Sequence, residues 1–192
     1  MVVYVFDVEL VGKTPILQHN PNVILKEEEW KKEHGRNLVP PPELSAEWST
    51  YRNKEGYLCI PEKWIRGALR NVAKRMKIKG MRGKTAITIM GAIQIEPLLI
   101  PLYRDGKLIK DYEMHSEWVN VQRSKVLRAR PMIDVPWNAK FKLYYNSLIG
   151  GIEPGSVKKL IEMTGQIGIG DWRPERGGTY GTYDVKVSIK EA

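Results

Sequence analysis

The order in which strand-like and helix-like hydrophobic periods follow one another restricts the fold of this 192-residue chain more than any other feature. Residues 2–11, VVYVFDVELV, alternate and are rich in β-branched side chains, which predicts a strand. CIPEKWIRGALRNVAKRMK then brings in Pro61, a residue suited to a first helical turn, with Glu62 near the positive helix end. Ile65, Ala68, Leu69, Val72 and Met76 follow at helical spacing. KTAITIMGAIQIEPLLIPL, residues 84–102, is almost continuously apolar and reads as a second, buried strand. WNAKFKLYYNSLI is a third strand. EPGSVKKLIEMTG is a short helix begun by Pro154 and closed by Gly165, and TYDVKVSIK is the fourth strand.

Two stretches interrupt this series. Residues 12–60 hold turn residues in TPILQHNPN, a short charged helix in LKEEEWKKEHG, a stop in LVPPPEL and a small hairpin around Lys54, Glu55 and Gly56, without a second core. Residues 103–136 hold a hairpin signal at Asp105-Gly106. There Arg123, Lys125, Arg128 and Arg130 also alternate loosely with Val121, Val126 and Leu127, as on a β-ribbon with a basic side. With both stretches set aside as insertions, the order is β-α-β-β-α-β within one domain spanning residues 1–192. That is the ferredoxin-like α+β arrangement, an RRM-like antiparallel sheet with two helices on one face and the other face free. The chain is long enough to bury a core without staples.

Charge narrows the function. Nine Lys or Arg and no acid lie between Lys63 and Lys84, which accounts for the whole net charge of +9; the other 22 basic residues balance the 22 acidic ones. A neutral chain with one basic patch points to a polyanion, nucleic acid before an anionic membrane or a merely solvated face. Arg66, Arg70, Lys74 and Lys77 recur at steps of four, four and three, a cationic stripe along the first long helix. Like charges so spaced repel by a few tenths of a kcal/mol per pair, a poor device for stability alone.

Other chemistries are excluded by spacing. One cysteine, Cys59, rules out an internal disulfide, and three scattered histidines give no zinc pattern. There is no Walker loop, dinucleotide fingerprint or nucleophile elbow, so no cofactor and no metal are expected. Apolar runs are too short for a bilayer, and the first ten residues lack a signal peptide's basic start, so the expected location is cytoplasmic.

The segment GQIGIGDWRPERGGTYGTYDV, residues 165–185, sets glycines beside arginines and aromatics ahead of the last strand. Its glycines either permit positive φ in a tight crossover or let backbone N–H groups approach phosphates. Arg173 and Arg176 suit phosphates, while Trp172, Tyr180 and Tyr183 suit stacking on bases. Asp171 and Glu175 stand beside these arginines, and internal pairing would leave less charge for a ligand.

Through Gly165, Gly168, Gly170, Arg173, Gly177, Gly178, Gly181 and the pair Tyr180 and Tyr183, this loop resembles that of the RAMP (repeat-associated mysterious protein) superfamily of CRISPR-associated proteins. YLCIPEKWIRGALRNVA is similar to a second phrase of that superfamily, at the start of its first helix; the two phrases cover about 35 of the 192 residues. The resemblance is to backbone-forming subunits that coat a guide RNA, or to compact relatives carried by phages and prophages. It implies a ferredoxin-like fold and a glycine-rich loop lying against RNA. Partners implied are single-stranded RNA or DNA, other CRISPR effector subunits, and further copies of the chain as an oligomer or filament, with no membrane. Arg66, Arg70 and Lys74 would then contact phosphates. Arg123, Lys125, Arg128 and Arg130 would grip the strand, and Arg173 and Arg176 would clamp it.

Three function classes follow. The first is a module that binds single-stranded nucleic acid, RNA in the first instance, largely without sequence preference. The second is a metal-independent endoribonuclease, as some members of the resembled superfamily are. His34, in a helical, lysine-rich stretch, is its candidate catalytic residue, with an exposed surface histidine as the plain alternative. His19, just after the first strand and near where the glycine loop should arrive, suits a base contact, and His115 has no assigned role. The third class is a self-associating protein whose basic patch meets an acidic partner.

Overall fold

Alternation along the first strand sorts its side chains between a core and an open face. Phe6, Val8 and Leu10 are buried, while Asp7 and Glu9 between them point the other way. A computed structural model describes residues 2–75, 85–121 and 124–191. Its elements are β1 (Val3–Gly12), β2 (Ile16–Leu17), α1 (Val23–His34), α2 (Pro42–Trp48), β3 (Cys59–Pro61) and α3 (Glu62–Arg75). There follow α4 (Thr85–Ala92), β4 (Ile93–Glu96), β5 (Leu99–Arg104), β6 (Lys107–Leu108), β7 (Glu113–Val121) and β8 (Ser124–Ile133). The chain closes with β9 (Asn138–Asn146), α5 (Ser147–Gly150), α6 (Pro154–Ile167), a 3-10 turn (Pro174–Arg176) and β10 (Tyr183–Glu191).

The main sheet runs β10-β1-β9-β5-β3, with β4 also on β9, and every pairing is antiparallel. This mixed α+β architecture is consistent with a ferredoxin-like fold. Register places Phe6 opposite Leu143 and Val8 opposite Phe141. On that face Ile65, Leu69 and Val72 of α3 and Val157, Leu160 and Ile161 of α6 complete one core. On the open face Asp7 lies 3.9 Å from Lys142 and 3.0 Å from Lys190, and Glu9 lies 3.5 Å from both Lys140 and Lys186. A hydrogen bond from Lys190 holds the Asp7 carboxyl below its ordinary range. These pairs are exposed and add little to stability; on the face they cover, four lysines surround the two carboxylates. Among the described residues no helix is long and apolar enough to cross a membrane.

Three expectations change. The strand predicted over 84–102 divides into α4, β4 and β5. Ile87 is exposed while Ile89 is buried. Residues two apart share a face in a strand and lie on nearly opposite sides of a helix, so this apolar run is helical at its start. Pro97, which has no N–H to donate, falls between β4 and β5. The stretch read as a stop at LVPPPEL supplies α2, which opens on Pro42. Finally, α6 passes through Gly165 and ends at Gly168, whose N–H reaches Thr164 O at 3.1 Å. Gly165 is there because α6 lies directly on β10: a Cβ at that position would fall on the Tyr183 carbonyl. The hairpin at Asp105-Gly106 forms, pairing Tyr103 with Leu108 and Arg104 with Lys107, and both turn residues have positive φ.

Gly165→Ala should therefore destabilise the fold by about 1–3 kcal/mol through overpacking. Gly155→Ala, at a helical position with open surroundings, should be neutral or slightly stabilising. Urea unfolding of both variants checks this; equal effects would contradict the close packing of α6 on β10.

Candidate nucleic-acid interface

The segment after β1, the β7–β8 ribbon and the glycine loop meet. In the ribbon, antiparallel register sets His115 opposite Arg130 and Glu117 opposite Arg128; positions two apart share a face, so all four project together. On the other side of β8, Leu17 pairs with Met132 and the Gln18 N–H donates to Pro131 O at 3.0 Å. One further step along this ladder brings His19 alongside Arg130. The result is a row, His19–Arg130–His115, drawn from three segments distant in sequence.

The glycine loop covers that row. Asp171 pairs with Leu17 as a β-bridge, its N–H donating to Leu17 O at 2.9 Å. Its Oδ2 lies 2.7 Å from Arg130 Nε, off the N–H axis, so the contact is an ion pair rather than a directed hydrogen bond. The guanidinium also sits 5.5 Å from the Trp172 ring centre. Arg130 is only 4% exposed, yet its Nη1 has no hydrogen-bond partner among the described residues; buried His115 Nδ1 lacks one too. His115 Nε2 is 3.3 Å from Tyr180 Oη. Burial pushes the His19 imidazole below its ordinary pKa; Asp171 opposes this, and Arg128 and Arg130 add to it. Trp172 holds φ near +53°, a costly conformation for so bulky a residue.

The loop's glycines serve its own closure. Ile169 N–H donates to Gly181 O at 2.9 Å, Gly181 N–H to Pro15 O at 2.7 Å, and Tyr180 N–H to Trp172 O at 3.1 Å. Gly170 and Gly181 have φ of +81° and +69°, and a Cβ on Gly181 would fall on the Ile169 carbonyl. One on Gly178 would fall on the Trp172 carbonyl, whereas Gly177 faces open space. The N–H groups of Gly168, Gly177, Gly178 and Gly181 thus all reach protein carbonyls, which takes them from the phosphates that the sequence offered them to. The tight-crossover explanation accounts for these glycines.

The remaining candidates separate by partner. Arg173 is engaged by Glu175 at 2.9 Å and Gly170 O at 2.9 Å, the internal pairing the sequence left open, whereas Arg176 is exposed. Tyr183 is 3% exposed and packs edge-on against Trp137, so it offers no ring to a base. Arg66 bonds Glu62 at 3.1 Å, Met90 O at 3.0 Å and Ile93 O at 3.2 Å, tying α3 to the end of α4. Arg70 and Lys74 are exposed on α3. Arg70 borders a groove between α3 and α4, distinct from the row under the loop. Lys125 is exposed and Arg128 half-buried. Arg123 lies outside the described residues, as do Met76 and Lys77. His34 ends α1 stacked on Trp30 at 4.3 Å, with Nδ1 2.9 Å from Trp30 O. Among the described residues no group of three or more His, Cys, Asp or Glu converges as metal ligands would.

No local pattern marks His115 for a role, and none joins Asp171 to Arg130. The strand register carries the first: the antiparallel pairing of β7 with β8 sets 115 against 130. The second depends on a contact between distant segments that no local pattern records.

No protein-family model and no curated protein matches the sequence. Solved structures do match in fold. A chain of a structure described as the Type III-B Cmr-beta complex bound to cognate target RNA aligns with a TM-score of 0.57 at 13% identity. The alignment covers 98% of this chain and 61% of that one, so the protein spans about three fifths of its length. A chain of a Type IV-B CRISPR complex aligns with a TM-score of 0.52 at 10% identity, covering 97% of this chain and 90% of that one. At these identities the likeness is one of fold: the chain has the architecture of subunits found in CRISPR complexes.

Proposed function

We propose that this protein binds single-stranded nucleic acid, RNA in the first instance, as a RAMP-like subunit of a CRISPR-type assembly. Its fold on this reading is a ferredoxin-like βαββαβ core with insertions at about 12–60 and 103–136. The observation that carries the proposal is the convergence of both insertions and the glycine loop on the row His19–Arg130–His115. A purely structural role does not require a buried guanidinium with an unmatched donor. Support also comes from the CRISPR complexes whose chains share this architecture, one of them bound to target RNA.

The assigned roles follow exposure. Arg70 and Lys74 on α3, Lys125 and Arg128 on the ribbon and Arg176 on the loop contact phosphates. Arg130 orders the ribbon against the loop. Arg66 and Arg173 hold the scaffold that presents them. Tyr180 and Trp172 are the stacking surfaces. Contacts of this kind read the backbone and give little sequence preference.

Affinity for a single-stranded RNA oligonucleotide should fall steeply with salt, with a log–log slope of about −0.7 per phosphate contacted. The double variant Arg70→Gln/Lys74→Gln should make the slope shallower by about 1.4 while leaving the melting temperature unchanged. A flat salt profile, or a slope indifferent to these cations, contradicts the proposal.

Arg173 and Arg176 provide a second test. Arg176→Gln should weaken RNA binding several-fold with no loss of stability. Arg173→Gln should lower the melting temperature, because it leaves half-buried Glu175 and the Gly170 carbonyl without their donor. The reverse pattern, in thermal melts read beside binding isotherms, would exchange their roles.

A further inference from the structure

Beyond Leu17 no described strand pairs with the outer edge of β8, and α1 and α2 stand across from it. Between them is a cleft of about 540 Å³, within the range of sites that hold small molecules. Its lining has two characters. Lys31, Arg128 and Arg130 bring positive charge and His19 a polar ring, against which Glu27 is the one acid on the wall. Ile24 and Val39, 57% and 81% exposed, present apolar surface to the same space.

We infer that this cleft is a subsite for one nucleotide, taking its phosphate on Lys31 and Arg128 and its base against the Ile24–Val39 wall. The inference rests on the nucleic-acid reading above and gives it a definite place. An inorganic anion would satisfy the cations and leave the apolar wall wet. An apolar ligand would cover Lys31 and Arg128 without giving them an acceptor, a cost that a phosphate oxygen removes. A nucleotide satisfies both walls at once. Arg130, held by Asp171 and the Trp172 ring, fixes the strand from which Arg128 reaches the cleft. Little ordering is left for the moment of binding.

The test is a calorimetric titration of the full chain at low salt with uridine 5′-monophosphate, uridine and inorganic phosphate, beside a single-stranded RNA oligonucleotide. The monophosphate should bind more tightly than either fragment. Arg128→Gln should weaken it about tenfold, the loss of one charge-assisted contact. Ile24→Asp, on an exposed helix position, should reduce its affinity to that of phosphate. Arg70→Gln should leave it unchanged, and the melting temperatures of all three variants should match the parent. Absence of monophosphate binding overturns the inference, as does binding that both cleft variants leave intact or phosphate binding as tight as the nucleotide's. If the oligonucleotide binds with its dependence on Arg70 while the monophosphate does not, the cleft alone is wrong. If the monophosphate binds through Arg128 while the oligonucleotide binds no more tightly, the strand-binding reading falls and the cleft stands.

Discussion

A single buried guanidinium joins parts of this chain that sequence keeps far apart. Arg130 lies on β8, is flanked by His19 just after β2, and pairs with Asp171 of the glycine loop before the last strand. A buried ion pair of this kind adds little net stability over an apolar replacement, yet removing one partner strands the other and costs about 3–5 kcal/mol. Its effect is therefore to fix geometry. With Asp171 held at Arg130 and bridged to Leu17, the loop has one seat on the ribbon, and Trp172 accepts a left-handed backbone to remain over the guanidinium.

The surface left by this arrangement differs from the open-sheet platform of RNA-recognition domains. The open sheet face carries Asp7 and Glu9 among Lys140, Lys142, Lys186 and Lys190, so its carboxylates offset only part of the lysine charge. Further positive charge lies on the exposed side of α3 and beside the ribbon. These are two grooves, with Arg66 and Arg70 on one and Arg128 on the other. A strand engaging both must pass from one to the other.

Much of the fold was legible because its signals are local. The alternation of β1 and β10, the Pro-opened helices α3 and α6 and the Asp105-Gly106 turn each follow from a few neighbouring residues. The early part of 84–102 was not legible, since an apolar run hides its period until one knows that Ile87 is exposed and Ile89 buried. The site was legible in kind and less so in detail. Composition marks Arg66, Arg130 and Arg173 as cations, but which of them keep charge for a ligand depends on Met90, Asp171 and Glu175. Tyr183 has the chemistry of a stacking residue, and its strand register turns it into the core. His115 gains meaning once the ribbon sets it against Arg130.

Photo-crosslinking tests the central claim most directly. A single-stranded RNA carrying 4-thiouridine is irradiated on the protein and the modified peptides are mapped by mass spectrometry. The account predicts adducts on the ribbon, on Trp172 or Tyr180 of the glycine loop, and on the helix facing the β8 edge. Adducts confined to the lysines of the open sheet face, or none above those of a scrambled-charge control protein, would contradict it.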